Sequence, residues 1–284
     1  MNNNLFIVIA ASAIYYGTPL FLAALGEVIT ERSGVLNLGV EGMMLLGAVA
    51  ASGTASNVSG PGWWVLTVSI LAAMLAAGLG ALPHAFATIT LRVNQTVSGL
   101  ALTILAGGAG LSSYLANLWE LEKAPVQFEK FDVLGLKDAP IVGPILFNQN
   151  ALTYLSWVLA VVASWYLFRT RPGLHLRAVG ESPQSADAVG INVVRYRYVH
   201  TVAGGALAGI GGAFVSLAIN TTWADGMTSG QGWIAIALVI FGFWRPDLTL
   251  AGAYLFGAFT SLSFTLQERG VKVAPQVLDS LPYV

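Results

Sequence analysis

The sequence predicts an all-α integral membrane protein with about eight transmembrane or re-entrant helices. Three observations predict it. Only 10% of the 284 residues are charged and 56% are hydrophobic, whereas a soluble domain carries about 25% charged residues. Too few polar groups remain to coat a water-soluble globule. Apolar runs close to the ~20 residues that cross a hydrocarbon core recur along the chain, separated by breaks that carry the charge. Glycine is abundant, at 32 residues. That would weaken soluble helices, but in lipid small residues let helix backbones approach closely.

The candidate spans are roughly 5–29, 34–56, 63–91, 96–119, 151–168, 199–223, 230–244 and 248–267. The second opens with Gly34-Val35-Leu36-Asn37 and carries Glu41, and the seventh is short. Both read as broken or re-entrant helices. Together the runs make one polytopic domain over 1–284. No basic residue precedes Arg32, so the first run lacks the positive n-region of a cleaved signal peptide and is expected to stay as a span. The stretch from Pro275 to Val284 reads like an exit loop and the first residues of another span. A final C-terminal span is therefore expected to be missing.

Two polar segments orient the chain. Residues 169–198 hold five of the nine arginines, and residues 120–140 hold five acidic residues against three lysines. Counting basic residues alone, the positive-inside rule puts 169–198 in the cytoplasm and 120–140 outside. Trp63, Trp64, Trp119, Trp223 and Trp244 lie near span ends, as interfacial aromatics do.

Several chemistries are excluded. There is no cysteine, hence no disulfide, zinc-thiolate site or cysteine nucleophile. No G-x-x-x-x-G-K-[ST] loop, H-E-x-x-H or G-x-S-x-G motif occurs, and no metal site is expected. His84, His175 and His200 are scattered. His84, inside an apolar run, is either a transport residue or a hydrogen-bonded packing residue. Ser229-Gly230-Gln231-Gly232 faintly echoes an ATPase signature, but without a phosphate loop it reads as coincidence.

The polar loop contains a complete short-helix grammar. Ser182 is a good N-cap, Pro183 suits the first helical position, and Gly190 suits a left-handed terminator. A helix that short is marginal alone. Placed here it reads as a docking element or as an ordinary capped surface helix.

The stretch 177–193, Arg-Ala-Val-Gly-Glu-Ser-Pro-Gln-Ser-Ala-Asp-Ala-Val-Gly-Ile-Asn-Val, resembles the coupling-helix loop of ABC importer permeases of the branched-chain amino acid, ribose and nucleoside superfamily. Residues 31–44, Glu-Arg-Ser-Gly-Val-Leu-Asn-Leu-Gly-Val-Glu-Gly-Met-Met, resemble the early motif of its nucleoside-type branch. Residues 94–103 resemble a third block, with Thr103 where the branch often has asparagine. The resemblance covers essentially the whole chain. It implies a bacterial inner-membrane permease, paired with a second permease subunit and often heterodimeric. Cytosolic ATPases use ATP-Mg, grip the coupling helix at Ser182, Pro183, Ala186, Asp187 and Gly190, and switch the path between outward and inward access. An extracytoplasmic binding protein delivers the solute: a nucleoside, or alternatively ribose or a branched-chain amino acid. The chain itself would bind no cofactor and no nucleic acid, and would meet only solute, lipid and these partners.

The candidate path residues are Asn37, Glu41, Gln95, Ser98 and Thr103. Asn37 and Glu41 are four apart and would share a helix face. Glu41 needs a partner or water in an apolar run, and Arg32 is available for a helix-end salt bridge. Gln95, Ser98 and Thr103 would line a polar path or bond between helices. Gly204, Gly205, Ala208, Gly209 and Ala213 form a small-residue packing stripe. Two other classes stay open. An ion-coupled secondary transporter would need a carboxylate relay that Glu41 alone supports thinly. A membrane enzyme would need a converging acid–base pair within the spans.

Overall fold

The computed structural model describes residues 5–107 and 110–268. The chain forms α1 (Leu5–Glu31), α2 (Val40–Asn57), α3 (Gly62–Ala85), α4 (Gln95–Ala106), α5 (Leu111–Leu118), α6 (Ala151–Arg169), α7 (Arg171–Glu181), α8 (Pro183–Ala188), α9 (Val193–Phe214), α10 (Gln231–Phe241) and α11 (Pro246–Glu268). A two-stranded antiparallel ribbon pairs β1 (Phe131–Asp132) with β2 (Asn148–Gln149). Single π-helical turns extend α3 over Phe86–Thr90 and α9 over Val215–Ile219. The expected exit loop at 275–284 lies outside the described residues.

Six of the described segments are long and apolar enough to cross a membrane: α1, α3 with its π turn, the α4–α5 run, α6, α9 with its π turn, and α11. The all-α membrane class holds. The second and seventh expected segments are the exceptions. α2 starts only at Val40 and carries Glu41, and α10 has 11 residues.

Other boundaries moved for local reasons. The run 96–119 holds two helices, α4 ending at Ala106 and α5 starting at Leu111. The sixth span starts near 193 rather than 199, because Asn192 Oδ1 accepts from Arg195 N at 2.8 Å and caps the helix there. Arg195 and Arg197 therefore ride on α9 rather than in a loop. Asn94, Asn150 and Thr170 cap α4, α6 and α7 in the same way, satisfying backbone donors that a helix start leaves free.

α2 sits at the centre, with nearly every residue buried, between α3 and α9, and α9 also packs along α1. The predicted stripe does this packing. A Cβ on Gly204 would stand 2.5 Å from Gly26 O on α1, and one on Gly47 of α2 would stand 2.4 Å from Gly209 Cα. Only glycine permits such approaches, and close van der Waals contact is what holds helices together in lipid.

The molecule has two distinct ends. At one, the 120–150 segment pairs with the loop after α9: Ala124 N donates to Thr221 O at 2.7 Å and Trp223 N to Glu122 O at 2.7 Å. At the other lie the end of α1, α7, α8 and the α10–α11 turn. There Gly180 packs on the Arg32 carbonyl, and the Arg32 guanidinium donates to Trp244 O at 3.1 Å.

Candidate functional site

The site grows from an irregular piece of backbone inside the membrane domain. The turn after α1 closes at Gly34, whose φ of +81° suits glycine, and the chain runs non-helically to Gly39 before α2 begins. In hydrocarbon an unpaired backbone group costs several kcal/mol, so non-helical backbone survives there only when protein satisfies it. Side chains do so here almost residue by residue. Gln95 Oε1 accepts from Leu36 N at 2.8 Å, and its Nε2 donates to Gly34 O at 3.3 Å. Thr103 Oγ1 donates to Leu38 O at 3.1 Å. Glu27 Oε1 accepts from Asn37 N at 2.8 Å, and Asn37 Oδ1 accepts from Gly39 N at 3.0 Å. Arg197 Nε donates to Ser33 O at 3.2 Å.

His84 completes the set. Its Nε2 lies 3.2 Å from Leu36 O and its Nδ1 lies 3.0 Å from Ser98 Oγ. A carbonyl can only accept, so Nε2 carries the proton and Nδ1 accepts from the Ser98 hydroxyl. His84 is thus a hydrogen-bonded anchor for the segment. Gln95 and Thr103 are eight residues apart on α4, a rise of about 12 Å, and they grip Gly34–Leu36 and Leu38. The segment therefore runs alongside the first turns of α4 before α2 starts. Gly99 allows it to lie close: a Cβ there would stand 2.6 Å from Leu38 N.

Glu41 lies in the first turn of α2, where this segment ends. It is 7% exposed. Its Oε1 accepts from Thr228 Oγ1 at 2.6 Å and from Gly230 N at 2.9 Å, and its Oε2 accepts from Gly232 N at 2.6 Å. These groups belong to the start of α10, whose N-cap position is Gly230, a residue with no side chain to cap with. Glu41 supplies that cap from another helix, and an acidic group is also favoured by the positive end of the helix dipole. The 11 residues of α10 then run about 16 Å back to the end where Arg32 holds Trp244. α2, of 18 residues, and the shorter α10 both start at this junction and leave it in opposite directions.

Two expectations are corrected here. Glu41 does not pair with Arg32; the Arg32 guanidinium is taken by the carbonyls of Phe243 and Trp244. Burial, and next the like charge of Arg177, hold the Arg32 pKa below its ordinary value, with Glu181 opposing. Asn37 and Glu41 do not share a helix face, because Asn37 precedes α2 and bonds back onto Gly39. Ser229-Gly230-Gln231-Gly232 has a use that sequence reasoning did not supply: it is the loop and helix start that receive Glu41. Gln95, Ser98 and Thr103 do converge, half-buried, on the Gly34–Leu38 backbone or on the histidine that holds it. Sequence reasoning missed Glu27, 1% exposed, and Thr228. A carboxylate deep in an apolar run, four residues before Glu31, was a signal for the first.

The second candidate region forms as its grammar predicted, with one exception. Pro183 opens α8, Ala186 is buried and Asp187 is exposed. Gly190 has φ +84°. Gly190 N donates to Asp187 O at 2.9 Å and Ile191 N to Ala186 O at 3.0 Å, the paired bonds of a Schellman ending. The exception is Ser182. It holds the N-cap position, but its hydroxyl donates to Ser185 Oγ at 2.8 Å instead of receiving a backbone N–H.

Comparison with known proteins completes the picture. A family model described as the permease component of the branched-chain amino acid transport system matches residues 9–280. TsgC13 of Haloferax volcanii, provisionally named a glucose ABC transporter permease protein, is 41% identical over 93% of this chain and 79% of its own. The guanosine ABC transporter permease protein NupQ of Bacillus subtilis is 39% identical over 90% and 82%. The nucleoside ABC transporter permease protein NupC of Lactococcus lactis is 37% identical over 98% and 89%. The chain belongs to the branched-chain amino acid transport system permease family and is the membrane permease subunit of an ABC importer, a multi-pass inner-membrane protein and not an enzyme.

Proposed function

We propose that this permease carries nucleosides, and that the junction of α2 and α10 forms the mid-depth wall of its translocation path. The observation that carries the proposal is the meeting of two helix starts at Glu41, beside a non-helical segment held by polar side chains. Irregular backbone at membrane depth belongs where it lines a cavity or is sealed by protein. Asn37, Glu41, Gln95, Ser98 and Thr103 set the shape of that wall by fixing its backbone. Nucleosides are preferred because NupQ and NupC, both named for nucleoside solutes, match along most of their length. The glucose name of TsgC13 favours a second reading, a simple sugar, and the ribose of a nucleoside is common ground between the two. A branched-chain amino acid is the third choice. An ion-coupled carrier is disfavoured because both oxygens of Glu41 are already engaged.

The family implies ATPase and solute-binding partners. We place the ATPase, which would hold the ATP-Mg, on α8 and the exposed Asp187 in a cytoplasmic 169–198 segment. The binding protein would dock at the opposite end, and a second, different permease subunit would complete the path. In this reading 1–284 is one permease domain. The deciding experiment is uptake of labelled guanosine and labelled glucose by the assembled importer in liposomes with ATP and binding protein. Saturable guanosine uptake that glucose does not inhibit is expected. Glucose uptake without guanosine uptake would replace the nucleoside reading with the sugar one. Uptake without any ATPase would overturn the mechanism.

A further inference from the structure

α6 presents an apolar face that nothing in the described chain covers: Val158, Val161, Val162 and Trp165 are each at least half exposed. Their spacing of three to four residues puts them in one stripe, and the stripe ends at Arg169. Nearer the other end of the molecule, Trp157 Nε1 donates to the Tyr254 hydroxyl and ties α6 to α11. From that tie towards the α7 end the two helices bound a cleft of about 560 Å³, lined by Ser164, Trp165, Phe168, Arg169, Arg245 and Asp247.

The charge in this corner is unbalanced. Arg245 is bonded by Asp247, Nε to Oδ1 at 3.2 Å and NH2 to Oδ2 at 2.7 Å, which leaves three of its five N–H donors. No carboxylate bridges Arg169 among the described residues. Two further guanidiniums stand over the Phe168 ring, Arg177 at 5.4 Å and Arg32 at 5.9 Å, and the Arg177 Nε is buried without a partner. Besides Asp247, Glu181 acts on Arg32, and the Glu31 carboxylate is engaged by Trp244 Nε1. Two guanidiniums thus stand over the Phe168 ring and two more line the cleft beside it, at the foot of an apolar groove. We infer that this cleft binds an anionic phospholipid of the adjacent leaflet, its phosphate between Arg169 and Arg245 and an acyl chain along Trp165, Val161 and Val158. A soluble phosphate would use the arginines but not the stripe. Basic pockets between helices at the membrane boundary recognise headgroups in this way.

The test uses the assembled importer, delipidated in detergent, with phosphatidylglycerol or phosphatidylcholine titrated in and bound lipid read by native mass spectrometry. Phosphatidylglycerol is expected to bind roughly tenfold more tightly than phosphatidylcholine. The double variant Arg169→Gln with Arg245→Gln should erase that preference. Asp247→Asn frees the Arg245 guanidinium and should strengthen it, a gain that general destabilisation cannot mimic. Trp165→Ala keeps the arginines and should weaken both lipids together. Equal binding of the two lipids, an unaltered preference in the double variant, or a loss in Asp247→Asn would overturn the site. If the double variant fails to assemble, Asp247→Asn still decides. Displacement of the lipid by glycerol phosphate at matched concentration would show a small-anion site and overturn the lipid assignment.

Discussion

The α2–α10 junction and the α8 loop each place a carboxylate and a glycine at a helix end, yet they are built on opposite principles. At α8 the partners are neighbours in sequence: Gly190, Asp187, Ala186 and Ile191 close the helix within six residues. At the junction the partners are far apart. Glu41 reaches Gly232 across 191 positions of chain, and Leu38 is held by Thr103 across 65. A helix exposed on one side can leave residual backbone groups to water, so local chemistry suffices. A helix that starts inside a membrane has no water to fall back on. The comparison teaches that matching residues in the two places should respond very differently to the same substitution.

The largest contrast is between the two carboxylates. Glu41→Ala strips three hydrogen bonds from the start of α10 and leaves Gly230 N, Gly232 N and Thr228 Oγ1 without an acceptor. At about 1.5–3 kcal/mol for each bond to a charged group, the loss is on the order of 4 kcal/mol or more. The variant should be nearly absent from membranes by immunoblot; a normal level would mean the cap is dispensable. Glu41→Gln keeps one acceptor oxygen and should recover part of the level.

The glycines come next. A Cβ on Gly232 would sit 2.4 Å from Glu41 N and 2.5 Å from its Cα, so Gly232→Ala must push two backbones apart. Overpacking of this kind costs about 1–3 kcal/mol, and a fluorescence-monitored melt of purified protein should fall accordingly. An unshifted melt would place the two helix starts further apart than described here. Thr103→Val is smaller, since it removes only the donor to Leu38 O. A loss of about 1 kcal/mol is expected, with Thr103→Ser restoring it. Failure of serine to rescue would assign the effect to packing.

At α8 the matching glycine has nothing within 4 Å of its absent Cβ, and only the positive φ matters. Gly190→Ala should cost about 1 kcal/mol, less than Gly232→Ala in the same melt. The smallest effect on folding belongs to Asp187→Arg, expected within about 0.5 kcal/mol of wild type because the residue is exposed. If α8 docks the ATPase, that variant still loses solute-stimulated ATP hydrolysis in liposomes. Full coupled hydrolysis would remove α8 from the coupling role.

Legibility followed the same division. The α8 grammar could be read because its caps lie within one window of sequence; only the Ser182 hydroxyl chose a different partner. The spans could be read because length and apolarity are local properties, and the two that looked broken, beginning at Gly34 and near 230, are the two whose helices, α2 and α10, meet at Glu41. The stripe from Gly204 to Ala213 could be read as packing because its period is helical. What failed were pairings. Arg32 was the nearest cation to Glu41 along the chain, but α1 carries it to the end of the molecule where the α10–α11 turn offers two carbonyls. Ser229-Gly230-Gln231-Gly232 looked empty of meaning because its function lies in backbone N–H groups, which no residue letter displays.

By itself the sequence determined the membrane class, the positions of the long apolar helices, the short α8 helix and the residues rich enough in hydrogen-bonding capacity to matter. Those follow from composition, from the length of a bilayer crossing and from caps that act within a turn. Only the tertiary structure decided that Gln95, Ser98, Thr103 and His84 serve one irregular segment, and that Glu41 caps a helix nearly two hundred residues away. The physical reason is that a backbone group buried in hydrocarbon must find a partner wherever the packed fold brings one, and sequence distance does not limit that search.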